Sequence, residues 1–250
     1  MTKTAFITGA TSGIGKATAT LFAEKGLRLI LCGRRGERLQ KLQEALSQLT
    51  DVYTLSFDVR DKEAVFSQIE NLPEAFNTID ILINNAGNAH GLDSIQDGDT
   101  NDWDAMLDIN VKGLLYVSKA VLPSMLKREK GHILHIGSTA GKEVYPKGNV
   151  YCASKHAVDA LNEGMRLDLN GTGIKVSAVN PGLVQTEFSE VRFKGDSKRA
   201  EKVYEGYTPL KPEDVAEVIW FTVSRPPHVV LADVTMMCLD QASSTVVNKN

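Results

Sequence analysis

Cysteine is scarce in this chain of 250 residues: Cys32, Cys152 and Cys238 are few, odd in number and far apart. A disulfide framework needs an even, clustered set and a zinc knuckle needs close pairs, so neither is indicated, and each thiol reads as a small packed residue. Cys152 has no thiol-activating partner pattern beside it in the sequence. Histidine is also rare, and only "HILH" approaches ligand spacing. His132 and His135 lie in a strand pattern, where an offset of three sends side chains to opposite faces, so no metal site is expected. Basic charge is not in excess, with 28 Lys and Arg against 31 Asp and Glu and a net charge of -3. That balance supplies no field for nucleic acid or an anionic membrane surface. No apolar run approaches the roughly 20 residues of a membrane span, and "MTKTAFITGA" meets a glycine turn too soon for a signal peptide. A cytoplasmic chain is therefore expected. Linkers, repeats and low-complexity tracts are missing too, which favours one domain over residues 1–250.

What is present is an alternation. The runs "KTAFIT", "LRLILCG", "VYTLSFDV", "IDILINNAG", "GHILHIGS" and "IKVSAVNPG" are short, apolar and β-rich, and between them lie longer stretches with apolar residues at three- and four-residue intervals. Several runs are apolar on both faces, as a covered parallel sheet requires. The pattern predicts a doubly wound α/β fold of Rossmann type, with ligands outside the carboxyl ends of the strands. "VVLADVTMMCLDQ" supplies a last strand, and Pro212, Glu213 and Asp214 suit a helix first turn. Residues 183–210 break the rhythm: long, charged and weakly periodic, they read as a substrate loop.

Two local patterns carry chemistry. After the first strand comes "TGATSGIG", in which Gly9, Gly13 and Gly15 open a helix. Such glycines let the backbone turn tightly against a pyrophosphate, and the helix start offers free N–H groups. About twenty residues on, where an NAD site carries an acid for the ribose, stand Gly33, Arg34 and Arg35. Two guanidinium groups suit a 2′-phosphate, so NADP is favoured. The second pattern is "NVYCASKHA", which places Tyr151 and Lys155 on one helix face. Taken alone that pair also fits an ordinary surface helix.

With "TGATSGIG", "NNAG", "GST", "YCASK" and "NPGLVQT" in order, the chain resembles the short-chain dehydrogenase/reductase family over nearly its whole length. The resemblance implies that Ser138, Tyr151 and Lys155 are catalytic, with Asn110 as the fourth member. It assigns Gly9, Ser12, Gly13, Ile14 and Gly15 to the phosphate turn, and Asp58 and Val59 to the adenine. Asn84 to Gly87, including Asn85 and Ala86, would support the sheet and line the adenosine side. Pro181, Gly182, Val184 and Thr186 would meet the nicotinamide. A lone phenol of pKa near 10 is ionised about once in a thousand at neutral pH, and lowering that value by two to three units takes about 3–4 kcal/mol. Lys155, together with the positive nicotinamide ring of the oxidised cofactor, is expected to supply this and also to bind the nicotinamide ribose; Ser138 is expected to hold the substrate oxygen, and Asn110 to hold a water that passes the proton outward, although an asparagine within a helix can also simply mark a kink.

Three further stretches, "GSTAGKEVYPKGNVY", "GLVQTEFSEVRFKGD" and "KPEDVAEVIW", look like the NADP-dependent branch acting on L-serine, L-allo-threonine and related 3-hydroxy acids. A carboxylate substrate calls for a cation on a closing element; Arg192 and Lys194 are the candidates, with Arg192 favoured for its planar fork. An amino-acid ammonium would need Glu143 or Glu187, between which the sequence does not choose. The rivals are a carbonyl reductase for bulkier or acyl substrates and a non-catalytic NADP(H)-sensing protein, which would have no need of the four catalytic residues. The resemblance also implies a homotetramer, formed through the helices over 101–128 and 149–170.

Overall fold

Seven strands form one sheet in the computed structural model, which describes residues 2–249. They are β1 (Thr4–Thr8), β2 (Arg28–Gly33), β3 (Val52–Ser56), β4 (Ile81–Asn84), β5 (Gly131–Ile136), β6 (Ile174–Pro181) and β7 (Asp233–Met236). Their order is β3-β2-β1-β4-β5-β6-β7, and every neighbouring pair is parallel. The two-residue period of the strands divides the core. Ala5, Ile7, Leu29 and Leu31 enter one apolar cluster, while Phe6, Ile30 and Cys32 enter the other. Both faces are thus covered, which is why these strands are apolar throughout rather than alternating.

The first cluster is closed by α1 (Gly13–Glu24), α2 (Gly36–Leu46) and α9 (Pro212–Val223). Phe22 of α1 meets Trp220 of α9 edge to face at 5.7 Å. Pro212 and the Asp214 carboxylate, which accepts the Lys211 N–H at 2.7 Å, start α9 where the sequence places a first turn. On the other face lie α3 (Lys62–Glu70), α4 (Thr100–Leu107), α5 (Leu114–Lys127) and α6 (Asn149–Asp168). Val65 and Ile69 from α3 and Val117, Val121 and Met125 from α5 fill that side. Full burial of side chains of this size stabilises by about 1.5–3 kcal/mol each.

Two elements differ from expectation. The stretch over 101–128, expected as one long helix, is α4 and α5 joined through a π-turn at Asp108–Gly113, and Asn110 sits in that turn. Residues 183–210, expected as a loop, carry the short helices α7 (Phe188–Arg192) and α8 (Ser197–Lys202). Asp196 caps α8 by accepting the Arg199 N–H at 3.0 Å, and Tyr204 ties the segment down by donating to the Val184 carbonyl at 2.9 Å. One-turn helices are too short to show a period in a charged sequence. The strand order reverses between β1 and β4, so the crevice for a ligand opens at the carboxyl ends of these central strands, beneath α7.

Candidate active site

A cleft of about 510 Å³ runs from the start of α1 to Ser138, Tyr151 and Arg192. At its first end Gly9 and Gly13 have φ of +65° and +50°, values that side-chain-bearing residues rarely adopt. A Cβ on Gly15 would lie 2.4 Å from the Gly9 carbonyl, so strand and helix meet there only because it is absent. Ser12 does not cap α1 with its side chain, and the first N–H groups of the helix remain available to an anion. Thr186 packs against Gly13, and Ile14, Pro181, Gly182 and Val184 line the same wall.

The Asn85 side chain donates to the carbonyls of Thr8 and Gly9 at 2.8 and 3.2 Å, while Thr8 Oγ1 accepts the Asn85 and Ala86 N–H groups at 3.0 Å each. These bonds join the ends of β1 and β4 and shape the cleft floor with Gly87. Asp58 and Val59 line the side where β3 ends. Burial pushes the Asp58 carboxyl up, but hydrogen bonds from Arg60 and the charges of Arg60 and Arg34 hold it below its ordinary value.

Both expected arginines face the cleft. Arg34 is the more open, with its guanidinium half-exposed and 3.6 Å from Asp58. Arg35 is fixed by Thr11, by Ser12 and by Glu187 at 2.8 Å, and Arg38 reaches the same carboxylate at 2.7 Å. Glu187 is therefore committed to two guanidinium groups, contrary to its expected service as an acceptor for a substrate ammonium. Glu143 is outside the cleft lining and accepts the Ser244 N–H at 3.2 Å. Lys194 is paired with Asp102 at 2.9 Å and is also away from the cleft lining.

Ser138 leaves the end of β5 in extended backbone, and its Oγ accepts the Ala140 N–H at 3.1 Å. Tyr151 and Lys155 are buried on α6 and line the cleft. The ammonium of Lys155 donates to the Ile136 carbonyl at 2.8 Å, and burial lowers its pKa to about 8. Burial raises the Tyr151 phenol well above its usual value, the neighbouring Tyr145 adds to this, and the Ser138 hydroxyl and the Arg192 charge oppose it. Two cations therefore flank this end of the cleft: the Lys155 ammonium, held on the Ile136 carbonyl, and the Arg192 guanidinium, whose charge favours the ionised phenol.

Asn110 is buried away from the cleft lining, with its side chain saturated. Its Oδ1 accepts the Asn88 N–H at 2.8 Å, and its Nδ2 donates to the Asn88 carbonyl at 2.8 Å and to Ser154 Oγ at 3.0 Å. The side chain is a brace between the π-turn, the segment after β4 and α6. The missing Cβ of Gly87 would stand 3.0 Å from Asn110 Oδ1 and 3.7 Å from the Lys155 ammonium, which places this brace next to the catalytic helix.

His132 contacts Ser177 at 2.8 Å and His135 contacts Asn84 at 3.3 Å; the two rings have separate partners and burial lowers both to about 3. Among the described residues no three His, Cys, Asp or Glu side chains are grouped to hold a metal ion. All three cysteines are free and buried, as packed residues would be. Sequence reasoning missed Thr11, Arg38, Tyr145 and Phe188. Only Arg38 had a signal, since it lies one helical turn beyond Arg35; Tyr145 flanks Tyr151 from a loop and Phe188 from the one-turn helix α7, neither of which shows a period.

A glycine-and-helix cradle, a pair of arginines beside it and a Ser next to a buried Tyr and Lys at the far end define a dinucleotide-dependent oxidoreductase of the Rossmann type. The chain belongs to the short-chain dehydrogenase family, whose model matches residues 3–197. It is 46% identical over 237 residues to the NADP-dependent 3-hydroxy acid dehydrogenase YdfG of Salmonella typhi, covering 94% of this chain and 95% of that protein. It is also 46% identical over 245 residues to sulfoacetaldehyde reductase 2 of Chromohalobacter salexigens, covering 98% and 97%. Among solved structures, the closed form of serine dehydrogenase complexed with NADP+ superposes with a TM-score of 0.93 at 42% identity, covering 99% of both chains.

Proposed function

We propose that this enzyme is an NADP-dependent dehydrogenase of small 3-hydroxy acids such as L-serine, L-allo-threonine or 3-hydroxypropionate. The observation that carries the substrate class is Arg192, whose guanidinium faces the cleft beside Tyr151, with Cζ 5.5 Å from the ring centre. An anion-binding fork next to the reacting oxygen suits a substrate whose carboxylate is close to its alcohol. The NADP assignment rests on Arg34 and Arg35 together with Gly33, which offers no carboxylate at the end of β2. The three cysteines, free and buried, accord with a cytoplasmic setting.

Bound NADP+ supplies the acceptor for hydride from the alcohol carbon. The residues of the chain handle the oxygen and its proton. Tyr151 takes the hydroxyl proton at its phenol oxygen as the carbonyl forms, and Ser138 Oγ donates to that substrate oxygen and holds it in line. Lys155, whose ammonium lies against the Ile136 carbonyl at the end of β5, would hold a ribose hydroxyl of the cofactor, and the main chain of the π-turn at Asn110 is assigned to the water that carries the proton outward, because the Asn110 side chain is already satisfied. Phe188, whose ring is tilted at 60° against Tyr151 with centres 5.6 Å apart, and the rest of α7 shield the reaction from bulk water.

The resemblance of two Chromohalobacter sulfoacetaldehyde reductases favours a second reading, in which Arg192 binds a sulfonate and the reaction runs toward the alcohol. Both readings are tested by following nicotinamide absorbance with NADP+ and NAD+ against L-serine, L-allo-threonine, 3-hydroxypropionate, a small hydroxysulfonate and a neutral secondary alcohol. Turnover of the hydroxy acids with NADP+ supports the first reading, preference for the sulfonate selects the second, and activity confined to uncharged or thioester substrates selects a carbonyl reductase and discards the anion pocket. Binding of NADP(H) with no turnover in either direction would point to the sensing alternative. Assembly as a homotetramer is also proposed, with the exposed Leu107, Leu115, Leu126 and Leu167 on α4, α5 and α6 as the apolar surface it would cover; light scattering measures it.

A further inference from the structure

The guanidinium of Arg192 is held between two tyrosine rings, with Cζ 5.4 Å from the centre of Tyr145 and 5.5 Å from that of Tyr151. Its position is fixed twice. Arg192 Nε donates to the Gly91 carbonyl at 3.1 Å, and the Gly91 N–H donates to the Arg192 carbonyl at 2.9 Å. A group needed only to capture a substrate anion would not require the main chain of another loop to aim it at a phenol ring. Lys155, the cation on the same helix as Tyr151, is meanwhile turned to the Ile136 carbonyl.

We propose that Arg192 is a positioning residue for proton transfer: docked on Gly91 over Tyr151, it stabilises the deprotonated phenol and so links the basicity of Tyr151 to the seating of α7 over the cleft. This rests on Tyr151 being the proton acceptor and extends the carboxylate role of Arg192. Other groups act on the phenol as well, and the Lys155 charge adds to that of Arg192. Burial, Tyr145 and Cys152 favour the protonated form, while Ser138 acts through a hydrogen bond without charge. Behind the ring, a small cavity is lined by His90, Asp93, Asp99, Asp102 and Lys147. Lys194 is 2.9 Å from Asp102 and 3.7 Å from Asp99, which offsets those carboxylates. One consequence follows for the substrate: an anion bound to Arg192 neutralises part of its charge, so hydroxy acids meet a less acidic phenol than neutral alcohols do.

The test compares the pH dependence of kcat/KM for a neutral secondary alcohol in the parent enzyme, in Arg192→Gln and in Arg192→Lys. With no carboxylate to bind, a role confined to substrate capture leaves the acidic limb in place. The proposal expects that limb to move up by about 0.5–2 pH units in Arg192→Gln, the range for a unit charge some 5 Å away in surroundings between protein-like and aqueous, and to return part of the way in Arg192→Lys. A limb that stays put in Arg192→Gln overturns the proposal. A readout free of turnover is the near-ultraviolet tyrosinate absorbance, taken as the difference between each chain and its Tyr151→Phe counterpart. Titration of Tyr151 at higher pH without the Arg192 charge supports the proposal, and an unmoved titration overturns it. Should Arg192→Gln not fold, the uncharged Arg192→Met, which keeps the unbranched apolar stem, carries the same titration, with an upward shift expected and no shift decisive against. Failure of the hydroxy-acid reading would show separately, as absence of acid turnover by the parent enzyme, while the neutral alcohol and the titration still decide the role of Arg192.

Discussion

Replacing Arg34 by aspartate puts the cofactor assignment at risk most directly. The Arg34 side chain is 56% exposed, faces the cleft and has only a 3.6 Å contact with Asp58, so its guanidinium is free to take a phosphate, whereas Arg35 is already engaged by Thr11, Ser12 and Glu187. A hydrogen bond to a charged group contributes about 1.5–3 kcal/mol, and its loss raises KM for NADP+ by about ten- to a hundredfold. The new carboxylate adds repulsion of about 1 kcal/mol per unit charge on the phosphate at contact in water, and it is placed where the ribose hydroxyls of NAD+ have an acceptor to bond. Solvent exposure reduces both effects, so the ratio of kcat/KM for NADP+ over NAD+ is expected to fall by at least about tenfold, most strongly at low salt. Because the Arg34–Asp58 pair is exposed, thermal unfolding should move little. Steady-state kinetics with both cofactors at two salt concentrations measure this, and a ratio unchanged within about twofold refutes the reasoning.

Tyr151→Phe keeps the apolar bulk and removes the proton acceptor; turnover is expected to vanish while NADP binding, followed by fluorescence, persists. In Asn110→Ala the Asn88 N–H and carbonyl lose their partner in the interior. At about 1–3 kcal/mol for each orphaned group, chemical denaturation should show a loss of that order, and an unchanged midpoint would reject the brace. His132 and His135 are held neutral by burial, with folded pKa values of about 3 against 6.5. The unfolded chain therefore binds more protons than the folded one below pH 6.5, and stability is lost as pH falls from about 6.5 toward 3. Between pH 6 and 5, above most carboxylate titration, urea unfolding should lose about 2 kcal/mol per pH unit from the pair. A slope that is not reduced by His135→Asn would show that the ring does not contribute.

The sheet and the cofactor end of the cleft were legible in the chain because they follow from local rules. Short runs apolar on both faces, separated by amphipathic stretches, produce a covered parallel sheet, and glycines after the first strand that open a helix produce an anion cradle. Tyr151 and Lys155 were also visible, since an offset of four places both on one face of α6. What their side chains bond to was not. Lys155 meets Ile136 across 19 residues, Asn110 meets Asn88 across 22, and Arg35 meets Glu187 across 152. The sequence by itself determined which residue types stand at the ends of which strands. Only the tertiary structure decided that Arg192, 41 positions after Tyr151, shares its pocket while Lys194 and Glu143 do not. Such pairings depend on how loops with no period close over the sheet, and their geometry is set by long-range packing and hydrogen bonding rather than by local propensity.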